Sequence, residues 1–234
     1  MIEIAPIPRK DANKIITNNH YSGTVCYGTS VSLGVYYNKM LVGAAQFGSG
    51  IVPLASCKWV EGSTTKNYLE FNRFWLSDMA PKNSESRAIG LIFKWFRKNR
   101  PEIKWLMSFA DGASLKVGTI YQATNWVYTG YSKTGGLWVT KEGKRVHSTS
   151  LIGKLKDYKR DTLEEHFGKP LYRIVGGQYR YIYFLDKKWK KRLTVNPLPY
   201  PKADNIKNTI MVKKDNWVKE DLWDEYLKVL SINA

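Results

Sequence analysis

Apolar side chains recur along this chain in two periods, and the switches between them mark its elements. From Pro8 to Tyr21, Ile15 and Ile16 stand in a polar segment with Asp11 near its start, which predicts a short helix with Asp11 as candidate cap. From Ser30 to Gly48, two apolar runs flank Asn38-Lys39, the pattern of a β-hairpin. Tyr68 to Asp78 alternates apolar and polar positions and predicts a strand. Ala88, Leu91, Ile92, Trp95 and Phe96 then recur at helical spacing, with Asn83 or Ser84 to open the helix, Lys98 and Arg100 in its last turn and Pro101 to stop it. Ile103 to Asp111 is a short apolar strand ending in an acid, GTIYQATN a short helix and WVYTGYS a further strand. A strand–helix–strand crossover pairs its strands in parallel. With the hairpin before it, the order predicts a mixed sheet in an α+β (α/β layered) domain.

Beyond Thr134 the periodicity weakens. The stretch GKRVHSTSLIGKLKDYKRD is basic and polar. Tyr179, Tyr181 and Tyr183 alternate with Arg180, Ile182 and Phe184 and predict a strand, at least one face of which packs in the core. KKWKKR, Lys187 to Arg192, is the densest basic cluster, and WVKEDLWDEYLKVL predicts an amphipathic helix near the C-terminus. These boundaries suggest a domain over 1–200, with a basic extension at about 133–200, and an appendage of one helix over 201–234.

Charge sharpens the picture. Lys and Arg number 37 against 20 Asp and Glu, a formal net charge of +17. Such a field concentrates phosphates and releases condensed counterions on contact, although a solubilising surface also carries charge. Aromatics interleaved with cations can stack bases, or face the core while the charges face water. The opening MIEIAPIPRK lacks the apolar core of a signal peptide, no apolar run reaches bilayer-spanning length, and the two cysteines, Cys26 and Cys57, are too few for a Cys-rich zinc site. The expectation is a cytoplasmic protein with reduced thiols, no membrane partner and no metal.

Three places could carry chemistry. Asp111 ends a strand, where ligands gather in open sheets; it could orient an amine, accept its proton, or simply cap the next segment. PKNSESR, with Ser84, Ser86 and Arg87, opens the main helix and combines free N–H groups with hydroxyls and a cation, an anion site or a plain cap. Tyr121 could be a general acid or a core residue, and His20 a site residue or part of a turn.

NHYSG, LEFNRFWLSDMAPKNSESR, SFADGASLKVGTIYQATNWVYTG and RYIYFLDKKWKKRLTVNPLPYPK together resemble the Mom family of bacteriophage DNA-modification proteins, over about Asn19 to Lys202; VHSTSL is a weaker feature of the likeness. The resemblance implies the GNAT acetyltransferase fold, a mixed β-sheet flanked by helices with a basic C-terminal extension. It also implies conversion of adenine in double-stranded DNA to N6-carbamoylmethyl adenine in a phage-infected or prophage-carrying bacterium, as protection from restriction. Tyr121 matches the superfamily tyrosine that sits near the leaving thiolate. Where GNAT enzymes hold CoA with a glycine-paired loop, this chain reads KNSESRAIG, so a glycyl donor such as glycyl-tRNA stands beside acetyl-CoA.

On this reading the target base is flipped. Asp111 orients the amine or takes its proton, and Tyr121 donates to the leaving group. Arg73 and Arg87, with Ser84 and Ser86, hold the donor. Asn72 adds a hydrogen bond, although strand alternation sends Asn72 and Arg73 to opposite faces. His20 and Tyr21 close the site. Arg145, His147, Lys187, Lys188, Lys190, Lys191 and Arg192 contact DNA. A non-enzymatic anti-restriction protein that coats DNA, and an ordinary acetyltransferase acting on a protein or small amine, are the alternatives from other classes.

Overall fold

Asn38 and Lys39 both adopt left-handed φ angles, 49° and 68°, and turn β2 (Thr29–Tyr37) directly into β3 (Met40–Gly48). Positive φ at both central positions gives the turn whose twist matches paired strands, so the predicted hairpin forms where expected. The computed structural model describes residues 1–26, 28–132, 137–140, 142–147, 159–213, 224–225 and 227–228. A first strand, β1 (Ile2–Pro6), adds antiparallel to β2. Helix α1 (Arg9–Asn19) follows, starting after Pro8 without a side-chain cap. Asp11 lies inside the first turn, three positions after the cap at Pro8, so it does not cap as predicted.

The chain then runs through the short α2 (Pro53–Cys57), β4 (Tyr68–Leu76), α3 (Ser84–Asn99), β5 (Trp105–Asp111), α4 (Thr119–Ala123) and β6 (Val127–Ser132). Strand β4 pairs antiparallel with β3 and parallel with β5, as a helical crossover requires. One seven-stranded sheet results, in the order β1-β2-β3-β4-β5-β10-β6. Its late member, β10 (Gln178–Phe184), inserts between β5 and β6. Insertion pairs this strand along both edges, and layers packed above and below cover both of its faces as well. Accordingly Tyr179, Tyr181 and Ile182 are fully buried, and Arg180 and Phe184 nearly so. The aromatics of this strand therefore fill the interior on both faces, and none of those buried rings offers a platform for bases. Arg180 stays inside because it donates to Thr129 and lies 3.2 Å from the Trp59 ring centre.

Gln46 and Phe47 are successive residues of β3 and point to opposite faces. Gln46 donates to Asn13 of α1 at 2.8 Å, while Phe47 meets Phe96 of α3 edge-on at 4.7 Å. The two helices thus cover opposite faces of the sheet. On α3 the buried stripe is Ala88, Ile89, Ile92, Phe93 and Phe96, with the predicted Leu91 and Trp95 only half-buried. Stacking of Phe93 on Tyr183, at 3.6 Å between ring centres, accounts for the rotation.

The chain divides into two interleaved units, 1–109 with 118–130 and 180–199, and 110–117 with 131–179 and 200–234. The second unit has its own antiparallel sheet, in the order β11-β9-β7-β8, from β7 (Leu137–Thr140), β8 (Arg145–His147), β9 (Leu171–Gly176) and β11 (Ile210–Lys213). Val139, Tyr172, Ile174 and Val212 form one of its cores. Leu163 of α5 (Arg160–Phe167) packs with Trp138 and Leu171 in another. Most of the helix predicted near the C-terminus, and Ser148 to Leu151 of VHSTSL, lie outside the described residues. Among the described residues no helix is long and apolar enough to cross a membrane.

Gly43 of β3 lies close against the backbone of β4. A Cβ there would lie 2.5 Å from the Trp75 carbonyl oxygen. Backbone cannot yield as a side chain can, so Gly43→Ala should destabilise the protein by about 1–3 kcal/mol, read as a lower urea midpoint at unchanged slope.

Candidate active site

Strands β4 and β5 start side by side and then part. Their parallel register is Tyr68↔Trp105, Leu69↔Leu106 and Glu70↔Met107, after which each strand continues without the other. Parted parallel strands leave a crevice toward their carboxyl ends, where open sheets bind ligands.

The same point of β4 carries a bulge. Phe47 pairs with Phe71 and Gln46 with Arg73, which leaves Asn72 as an extra residue. Paired residues of an antiparallel ladder share a face. Glu70, opposite Gly48, is therefore on the Gln46 face; Phe71 is on the Phe47 face; and Arg73 returns to the Gln46 face. Regular alternation would have separated Glu70 from Arg73. It would also have separated Asn72 from Arg73, as the sequence reading held, and the extra residue corrects that expectation.

Three polar groups meet on this face. The Asn72 amide, oriented with its nitrogen toward the acceptors, donates to Glu70 O at 3.2 Å and Oε1 at 3.1 Å. Arg73 donates to the Asn72 carbonyl at 2.7 Å and to the Thr24 carbonyl at 3.2 Å. Gly50 leaves room for the carboxylate, since a Cβ there would lie 2.3 Å from Glu70 Oε2. Burial pushes the Glu70 carboxyl up to about 7, against a weaker downward pull from Arg73. Burial likewise raises the nearby Cys26 thiol, which keeps it neutral.

Tyr121 of α4 reaches the crevice through its hydroxyl. Ser108 of β5 lies 2.8 Å from the Phe71 carbonyl and 2.7 Å from Tyr121 Oη. A carbonyl only accepts, so Ser108 spends its one proton on Phe71 and receives that of Tyr121. The phenol sits among Phe71, Trp126 and Tyr181. Burial raises its pKa most, Ser108 lowers it, Glu70 raises it and Arg73 lowers it. Glu70, Asn72, Arg73, Ser108 and Tyr121 thus form one electrostatic group within the first unit.

Asp111 belongs to the second unit. Its Oδ1 accepts from Ala113 N at 3.1 Å and Gln178 Nε2 at 3.4 Å, and its Oδ2 accepts from Ser114 at 2.5 Å. It caps the 112–114 turn, the structural alternative that the sequence left open. At α3, Asn83 occupies the cap position at φ 64° without a side-chain bond, Ser84 is fully buried with no partner for its hydroxyl among the described residues, and Ser86 donates to Asn83 O. Neither Asn83 nor Ser84 caps as expected. Arg87 is exposed.

His20 accepts from the Ser22 backbone N–H, which leaves its neutral proton on Nε2, and its ring lies 4.2 Å from that of Tyr21. Lys187, Lys188, Lys190, Lys191 and Arg192 form an exposed 3₁₀ segment capped by Asp186. Arg145 and His147 lie at the two ends of β8. Sequence reasoning passed over Glu70 and Ser108. The available signal for Glu70 was a lone acid within the aromatic strand YLEFNRFW.

The Mom protein family model matches residues 1–202. Methylcarbamoylase mom of Escherichia phage Mu is 32% identical over 194 residues, spanning 82% of this chain and 80% of that protein. Among solved structures, an N-acetyltransferase from Staphylococcus aureus Mu50 is similar at 13% identity and TM-score 0.44, over 79% of this chain and 98% of its own. A GNAT family acetyltransferase from Elizabethkingia anophelis with acetyl-CoA bound is similar at 10% identity and TM-score 0.41, over 78% and 97%.

The raised Glu70 carboxyl has a consequence for stability. Its pKa is about 7 in the folded protein against an ordinary 4.5, so between these values the folded state binds more protons than the unfolded chain. Stability from this group is fully present below 4.5 and falls as pH rises through 7. Glu70→Gln should remove that fall, gaining on the parent by up to roughly 3 kcal/mol in urea unfolding between about pH 5 and about pH 8.

Proposed function

The chain belongs to the Mom protein family, and on that premise we propose that it transfers a carbamoylmethyl group to the exocyclic N6 of adenine in double-stranded DNA. The product shields phage DNA from restriction in the cytoplasm of the infected bacterium. The observation that carries the reading is the buried Glu70 carboxyl beside Asn72 and Arg73, at the parting of β4 and β5. The adenine N6 lone pair is delocalised into its ring, so the amine attacks only as it gives up a proton. A carboxyl titrating near neutrality is matched to that task.

Glu70 takes the proton from N6 as N6 bonds to the glycyl carbonyl carbon and the donor's ester oxygen departs with its electron pair. The resulting N6-glycyl adenine then isomerises, the two nitrogens exchanging places between the carbonyl and methylene carbons, to the carbamoylmethyl product with no atom gained or lost. Asn72 orients the carboxylate and Arg73 offsets the negative charge that develops. Tyr121, linked to Ser108, lines the crevice and returns a proton to the leaving group. Ser86 and Arg87, at the start of α3, hold the donor's phosphate or carbonyl, whereas full burial takes Ser84 out of that role. His20 and Tyr21 border the same unit from the N-terminal segment. Lys187, Lys188, Lys190, Lys191 and Arg192 bind DNA phosphates, as do Arg145 and His147 of the second unit. Asp111 maintains the 112–114 turn and acts through it. Flipping the base costs a few kcal/mol, which phosphate contacts offset.

The donor follows from atom counting. A carbamoylmethyl group contains the atoms of a glycyl group rearranged, whereas an acetyl group lacks the nitrogen. A glycyl donor such as glycyl-tRNA therefore supplies every atom, and acetyl-CoA does not. Net +17 suits a second polyanionic partner.

Mass spectrometry of nucleosides from bacterial cells expressing the chain tests the reading. The expected result is carbamoylmethyl adenine with the parent, reduced about 100-fold or more by Glu70→Gln, the range of a lost general base, and more modestly by Tyr121→Phe. DNA that resists cleavage yet yields only ordinary nucleosides would mean a coating protein instead. Parent-level product from both variants would remove Glu70 and Tyr121 from the mechanism.

A further inference from the structure

The loop that leaves β3 carries an apolar tip. Ile51 is 84% exposed, Leu54 77% and Val52 58%. One exposed aliphatic side chain needs no explanation, but three within four residues mark an interaction surface. The tip is held from below. The Tyr68 hydroxyl lies 2.6 Å from Ser49 O and 3.2 Å from Pro53 O, and Ser56 Oγ donates to Val52 O at 3.2 Å. Its root, Gly50, abuts the Glu70 carboxylate.

On its far side this segment joins the basic cluster. Glu61 N donates to Arg192 O at 2.8 Å, Thr194 N to Trp59 O at 3.1 Å and Thr194 Oγ to Lys58 O at 2.9 Å, while Val60 bridges to Leu193. One continuous framework therefore carries the buried carboxyl, the exposed apolar tip and the cations Lys187 to Arg192.

We propose that Ile51 and Leu54 are a wedge that enters the base stack of duplex DNA beside the target adenine, while the Lys187–Arg192 segment holds the phosphates. The inference rests on the DNA reading above and adds to it how the base is released. A base leaving the stack swings about its own backbone, so whatever fills the gap must stand within a nucleotide of the pocket. Ile51 is one residue, roughly 3.5 Å of chain, from the glycine that touches the carboxylate. Apolar wedges that part base steps lie among cations that grip the flanking phosphates, and the ties between 58–61 and 192–194 supply that combination. An anionic membrane also fits apolar and basic groups, but it gives no reason for the tip to be rooted at the carboxyl.

The test compares the parent with Ile51→Ser/Leu54→Ser in the full chain. Both side chains are exposed, so the thermal midpoint should be unchanged. With a duplex holding 2-aminopurine at the target position, the parent should raise fluorescence several-fold without any donor. The double variant should lose most of that rise on paired duplex and regain it when the position opposite is a mismatch, where less stacking must be broken. In cells, carbamoylmethyl adenine should fall about tenfold or more. Parent-level modification by the variant, equal fluorescence on paired duplex, or no rescue by the mismatch would overturn the wedge. So would loss of binding to phosphatidylglycerol vesicles with DNA responses intact. The parent's own nucleoside analysis separates this from the underlying reading: product from the parent and from the variant alike sinks the wedge alone, whereas none from the parent sinks the DNA reading itself.

Discussion

A parallel strand pair that stops pairing after three residues governs the rest of the site. Where β4 and β5 part, backbone groups of both strands lose their ladder partners, and buried backbone groups must find others. The Phe71 carbonyl finds Ser108, and Ser108 in turn engages Tyr121. The crevice is thus lined by the groups that compensate for its opening. The extra residue at Asn72 serves the same end, because it brings Glu70, Asn72 and Arg73 onto one face of a strand that would otherwise divide them.

Desolvation then sets the chemistry. In a chain of net charge +17 an exposed carboxylate would be held ionised. Glu70 escapes this because it is buried, and Arg73, whose guanidinium also serves Asn72 and Thr24, only partly offsets the cost. The group is left near neutrality, able to hold or release a proton at physiological pH. Tyr121 lies in the same field, pushed up by Glu70 and down by Arg73, so a proton moved at one is felt at the other.

The basic segment and the apolar tip belong to this economy through the backbone. A strand bridge and three hydrogen bonds join 58–61 to 192–194, and Gly50 brings the tip's root against the carboxylate. The exposed tip and the cations are thereby registered to the crevice with little freedom between them.

Local pattern alone determined much of this protein. The Asn38-Lys39 hairpin, α3 with its stop at Pro101, the order from β4 to β6 and the parallel β4–β5 pair all follow from periodicity, turn chemistry and the handed crossover, which are short-range rules. The sequence singled out Asn72, Arg73 and Tyr121 as candidates, and the structure places them close to one another; the cation cluster was legible from composition. Tertiary structure alone decided the remainder. Packing above and below β10, a central strand between β5 and β6, buried both faces of an alternating strand and drew Arg180 inside, because a strand's burial depends on what surrounds it and not on its own sequence. Asp111 became a turn cap, and Glu70 came to lie beside Asn72 and Arg73 with its carboxyl raised toward neutrality, for a related reason. A bulge is defined only by the register of two strands, and desolvation only by everything packed around a group, and neither quantity exists until the chain has folded.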